Sequence, residues 1–252
     1  MSPQYIVPEC FREFNELIAL QSTRRGGVSE GSYSSLNLGL NTQDSAECVH
    51  TNTMRLCKSA GINPQSMVSS VQVHGTEILK AETPGRYQGY DAFITDTKNL
   101  FLCISTADCF PVLLFDPMHH AVGAVHAGWK GSAGRIVMKT LAAMQKHFCS
   151  IPSECIAYIG TGISLDAYEV GMEVAREFPA DNCLRSPFSE DKYLLDLSAV
   201  NYRQLLASGI PASNIERSQF CSFSDSSMFF SYRRDKGTTG RMASIIGVRS
   251  VK

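Results

Sequence analysis

The sequence predicts an α+β fold, on three observations. Strand-type and helix-type segments mix along the chain without a strict βαβ rhythm. The strand-type segments are short, apolar and rich in β-branched residues, whereas one later segment has clear helical spacing. The chain has 252 residues, 44% of them hydrophobic and 19% charged, with no repeat, low-complexity tract or linker long enough to divide it. A single domain spanning residues 1–252, with a sizeable core, is therefore expected.

The elements follow in order. The Gly- and Ser-rich stretch from Arg25 to Asn41 reads as loop, and a helix begins near Cys48, runs past Leu56 to about Ala60 and stops at Gly61 and Pro64. Met67 to Val73 and Phe101 to Thr106 read as strands. Pro111 to Phe115 and Ala121 to His126 read as two more, flanking the turn-prone Asp116-Pro117 pair. Val137, Leu141, Met144 and Phe148 recur at helical spacing, which predicts an amphipathic helix over roughly 132–148 with its apolar face in the core. Ile156 to Ile159 reads as a strand and Leu197 to Ser208 as a helix ending before Gly209 and Pro211. Met228 to Tyr232 and Met242 to Val248 complete the set as strands.

Charge excludes some partners. With 23 Lys+Arg against 24 Asp+Glu the formal net charge is −1, so no overall field draws the protein to nucleic acid or to an anionic membrane. The opening MSPQYIVPEC lacks the basic and apolar regions of a secretory signal, and no run approaches the ~18 apolar residues of a span. A cytoplasmic protein is expected. Its nine cysteines include no C-x-x-C pair, which in a reducing compartment suggests small core residues with one recruited for chemistry.

The hairpin points to which one. If it centres on Met118, Phe115 opposes Ala121 and Phe110 opposes His126, which brings Cys109 and His126 to the same end. A thiolate and an imidazole there could share a metal ion, or act as nucleophile and base, or be ordinary core residues. His74 also lies at a strand-to-loop junction. His74, Cys109 and His126 together would give zinc three protein ligands and leave a fourth position for water, the pattern of a catalytic site. His119 and His120 fall in the hairpin loop, and with His50 and His147 read as surface groups. Arg233, Arg234 and Arg241 surround a glycine-containing loop able to bind an anion, though charged turns are commonly just solvated. Asn37 and Arg24 in the N-terminal loop carry the same ambiguity.

Gln72-Val73-His74-Gly75, Thr106-Ala107-Asp108-Cys109 with Pro111-Val112-Leu113, and His126-Ala127-Gly128-Trp129 resemble the bacterial YfiH family, also called laccase-domain or polyphenol-oxidase-like proteins. The resemblance extends through Thr23-Arg24, Gly26-Gly27-Val28-Ser29, Ser35-Leu36-Asn37-Leu38-Gly39, Tyr168-Glu169-Val170-Gly171, Phe230 to Asp235 and Gly240-Arg241. It implies a mixed β-sheet flanked by helices, partly like the catalytic domains of cytotoxic necrotizing factor toxins. It also implies zinc on His74, Cys109 and His126. The implied chemistry is phosphorolysis of adenosine, inosine, guanosine and methylthioadenosine, together with deamination of adenosine. Purine nucleosides and inorganic phosphate would then be the small-molecule partners. An older association of the family is copper-dependent polyphenol oxidation.

By the same resemblance Arg233 and Arg241 are candidate anion contacts and Asn37 a sugar or base contact. Cys109 and His126 are candidate catalytic groups, with Asp108 as proton shuttle or as a group orienting a ligand, and Glu169 as a weaker shuttle. Departures are modest: Lys130 stands where the family usually has arginine, Thr161 replaces a frequent proline, and Thr53 follows Asn52 where arginine is common. A multicopper cluster needs many histidines; this chain has six and no H-x-H pair, although a His-Cys-His site would accept copper as well as zinc. A metal-free Cys-His hydrolase is the further alternative.

Overall fold

A computed structural model describes residues 2–250. The elements in chain order are β1 (Tyr5–Ile6), β2 (Leu17–Ser22), α1 (Ala46–Ala60), β3 (Met67–Val71), β4 (Ile78–Lys80), β5 (Gly85–Gln88) and β6 (Ala92–Thr95). There follow β7 (Phe101–Thr106), β8 (Phe110–Asp116), β9 (Ala121–Ala127), α2 (Trp129–Ala133), α3 (Ile136–Phe148) and β10 (Ile156–Ile159). The last are β11 (Glu169–Gly171), α4 (Met172–Ala175), β12 (Cys183–Arg185), β13 (Lys192–Leu195), α5 (Leu197–Ala207), β14 (Ile215–Arg217) and β15 (Met242–Val248).

Two six-stranded mixed sheets form the frame. The first runs β1-β2-β15-β7-β3-β5 and the second β14-β10-β8-β9-β6-β4, with a small sheet β11-β13-β12 at the side. Leu102, Ile104, Ala19 and Ile246 of the first sheet pack against Phe93, Leu113, Phe115 and Ala124 of the second. Alternation along each strand sends the other set of side chains outward. On the first sheet Leu20, Phe101, Ala243 and Ile245 meet Leu56 and Cys57 of α1. On the second, Val112, Leu114 and Val125 meet Val137, Leu141 and Met144 of α3 and Leu205 of α5. The result is four layers, helix on sheet on sheet on helices, an α+β arrangement as the sequence predicts. No helix among the described residues is long and apolar enough to cross a membrane.

Ser45 caps α1 and Gly61, in the left-handed region at φ 68°, ends it by donating its N–H to the Cys57 and Lys58 carbonyls. Buried Asn52 on α1 accepts from Val28 N and donates to Ser29 Oγ and the Asn37 carbonyl, fastening the N-terminal loop over the first sheet.

Three sequence expectations change. The helix expected over 132–148 is broken: α2 ends at Gly134, Arg135 takes φ 60°, and α3 starts afresh. Met228 to Tyr232 is not a strand, because Arg234 donates to the carbonyls of Ser222, Phe223 and Phe229 and folds that segment into turns. The hairpin register is shifted by one: Phe115 opposes Val122 and Phe110 opposes Ala127. Asp116 joins the strand and its Oδ1 accepts from Met118 N and His119 N, so the loop is Pro117 to His120 rather than a turn centred on Met118. The shift matters: it places His126 opposite Pro111, two residues from Cys109, so both side chains emerge on one face.

Candidate metal centre

β3 delivers the chain to His74, which turns there in the left-handed region at φ 60°. Gln72 steadies the approach by pairing its side-chain amide with both N–H and C=O of Ser105 on β7. Cys109 directly precedes β8, and its neighbour Asp108 has φ 91°; His126 is the penultimate residue of β9. Left-handed conformations at non-glycine residues cost energy and cluster where a side chain must be aimed.

Ligand atoms of His74, Cys109 and His126 all lie within 4.8 Å of one another. His126 is buried, Cys109 half-buried and His74 exposed, and the two rings meet edge-on at 4.7 Å between centroids. Two imidazoles and a thiolate are a donor set suited to zinc or copper. Among the described residues no fourth histidine, cysteine or carboxylate joins the group, so a bound ion would keep an open position.

Asp91, fully buried directly before β6, organises this group, and sequence reasoning missed it. Its Oδ1 accepts from His74 N (3.0 Å) and from His126 Nδ1 (2.7 Å), while Oδ2 accepts from Val73 N (3.2 Å) and Gly75 N (2.7 Å). The carboxylate only accepts, so His126 carries its proton on Nδ1 and aims Nε2 at the group. Burial alone would raise the Asp91 pKa, but these bonds hold it below the ordinary carboxylate value. Burial likewise opposes charge on Cys109 and His126. Their mutual attraction, with Asp91 behind the imidazole, holds the thiol down and pushes the imidazole up.

The group lines a cleft of about 590 Å³. Arg233, Arg241, Asp108, Tyr168, Tyr232 and Arg86 also line it. Arg241 Nη1 is held by the carbonyls of Thr239 and Gly240, and Arg233 Nη1 by the carbonyl of Glu169, which leaves the rest of each guanidinium for a ligand. Asp108 is committed on both oxygens, accepting from Ser222 Oγ and Arg233 N at 2.7 Å each. Glu169 is occupied by Ser186 and Lys192.

Asn37 stands apart. It is fully buried, donates to Thr42 Oγ1 and Asp44 Oδ2, and accepts from Gly39 N and Arg241 N, so its side chain braces the loop and Arg241 rather than facing the cleft. Arg24 and Arg234 also serve the loops, Arg24 through the Ser34 and Ser226 carbonyls. His119 bonds Asp116 in the hairpin loop.

Gly128 leaves little room for a side chain. A Cβ there would lie 3.0 Å from Cys109 Sγ and 3.2 Å from His74 Cδ2. Gly128→Ala is expected to displace both side chains and lower metal occupancy, measured by elemental analysis, while circular dichroism shows the fold retained. Full metal content in the variant would contradict this reading.

The two-sheet fold is that of the solved YfiH and YlmD structures. The chain belongs to the family described as multi-copper polyphenol oxidoreductase laccase, whose model matches residues 18–249. It is 36% identical to a Bacteroides thetaiotaomicron protein named purine nucleoside phosphorylase, over 94% of this chain and 93% of that one. It is 38% identical to the Escherichia coli purine nucleoside phosphorylase YfiH, over 90% of this chain and 92% of that one. The crystal structure of YlmD from Geobacillus stearothermophilus superposes with a TM-score of 0.89 at 34% identity, covering 95% of this chain and 94% of that one.

Proposed function

We propose that this chain is a zinc-dependent purine nucleoside phosphorylase that also deaminates adenosine, with zinc on His74, Cys109 and His126. The observation that carries it is the juxtaposition, in one cleft, of an open His-Cys-His group and two arginines with free guanidinium edges. Relatives named as purine nucleoside phosphorylases support the substrate class. Nine free cysteines suit a reducing cytoplasm, where nucleosides and phosphate are at hand.

In phosphorolysis an oxygen of inorganic phosphate forms a bond to the ribose C1′ as the bond from C1′ to the purine nitrogen breaks, and the departing base takes up a proton. Arg241 and Arg233 would bind and orient the phosphate with paired N–H donors. Asp108 would act as a positioning residue, since its carboxylate fixes the backbone that carries Arg233. Asp91 would hold His126 in the tautomer that leaves Nε2 free. A bound zinc would supply Lewis acidity toward an oxygen of substrate or water. Deamination replaces phosphate with water, added at C6 of adenosine with loss of ammonia.

Elemental analysis, paired with chromatographic assay of adenosine and inosine with and without phosphate, tests this. Near-stoichiometric zinc with phosphate-dependent release of free base supports it, and ammonia release supports the deaminase part. Stoichiometric copper, phenol oxidation and no nucleoside turnover would overturn it in favour of polyphenol oxidation. Turnover that survives chelation and fails on thiol alkylation would favour the Cys-His hydrolase. Arg241→Ala is expected to raise the KM for phosphate by roughly 10–100-fold with metal content unchanged; an unaltered KM would remove Arg241 from the anion site.

A further inference from the structure

The cleft has a second chemistry along its wall, made of sulfur. Cys57 lies on the buried side of α1, Met67 opens β3 and Cys103 is in the middle of β7. Met67 pairs with Phe101, so Cys103, two residues further on, shares with it the face of the first sheet that α1 covers. Cys57 Sγ lies 3.4 Å from Met67 Sδ, and all three side chains line the cleft. Leu38, Leu56 and Ile245 surround them. Asp108, beside the His-Cys-His group, is the one carboxylate in the cleft wall among the described residues. Met67 precedes the end of β3 by four residues, about 13 Å of strand, so the sulfur cluster is separate from that group.

We propose that Cys57, Met67 and Cys103 form a second metal site, built of sulfur alone, for a soft monovalent cation of the Cu(I) type. Two thiols and a thioether favour such an ion over harder cations, which prefer carboxylate oxygens, and the hydroxyls of Ser69 and Ser105 nearby are neutral and weak ligands. Burial keeps both thiols protonated when the site is empty, raising Cys57 to about 11 and Cys103 to about 12. On binding, each ligating thiol exchanges its S–H bond for a sulfur–metal bond, the proton passes to solvent, and the ion keeps its oxidation state. An ion held there narrows the apolar part of the cleft.

The test is an anaerobic titration of fully reduced Cys109→Ser protein, which lacks the thiol of the other group, with Cu(I) as its bicinchoninate complex. The protein should withdraw one equivalent of Cu(I) from the chelator, and adding Cys57→Ser or Cys103→Ser should abolish that uptake. Equal uptake with and without those two thiols would place the ion on other cysteines and overturn the proposal, as would no uptake at all. If a serine variant fails to fold, Met67→Leu decides: it keeps the volume and removes the thioether, and affinity should fall roughly tenfold or more. Unchanged affinity in that variant would overturn the site.

Discussion

Cys109→Ser is expected to abolish metal binding at the His-Cys-His group and to lower the proposed nucleoside phosphorolysis by more than about a hundredfold, with the protein still folded. A serine hydroxyl keeps nearly the same shape but stays protonated where the thiol is held down by His126 and His74. The loss is therefore one of charge and ligand softness, not of packing. Cys109 sits ahead of β8, where its side chain adds little to the core between the sheets, so the thermal midpoint of metal-free protein should barely move. Inductively coupled plasma analysis and the phosphate-dependent base-release assay read the two effects separately. Full zinc content in the variant would refute the ligand assignment; lost zinc with full turnover would refute the metal's part in the reaction.

Asp91→Asn is expected to weaken metal binding by roughly 10–100-fold and to destabilise the protein by about 1–3 kcal/mol. The carboxylate accepts four hydrogen bonds, three from the backbone of Val73, His74 and Gly75 and one from His126. An amide in its place turns one oxygen into a donor that must face another donor. Either the His74 turn loosens or His126 loses the partner that fixes its tautomer. Competition with a chromophoric chelator measures the affinity and urea unfolding the stability. Metal affinity equal to that of the wild type would show that Asp91 serves the backbone turn alone.

What could be read from the sequence was mostly local. Asp116-Pro117 between two apolar strands identified the hairpin, which in turn brought Cys109 near His126. The register escaped because it depends on Asp116 capping its own turn, a choice hydrophobic alternation does not encode. His74 could be picked out as a strand-end residue, but its approach to Cys109 depends on pairing between strands far apart in the chain. The break at Arg135 was invisible because the apolar spacing of α3 is unaffected by what precedes it. Asp91 belongs to no motif, yet a signal existed: a carboxylate directly before the wholly buried strand Ala92–Thr95 has to be paired. Asn37 misleads for the converse reason, since composition cannot tell an amide offered to a ligand from one used up by its own loop.

The site straddles two sheets. His74 hangs from the first sheet, while Cys109, His126 and Asp91 belong to the second. Phe93, Leu102, Ile104, Leu113 and Phe115, stacked between the sheets, thus act as a calliper whose gap sets the bite of the three donor atoms. A void opened there would let the jaws slide, so the affinity of the proposed metal site would report packing in an interior that never touches the ligand atoms.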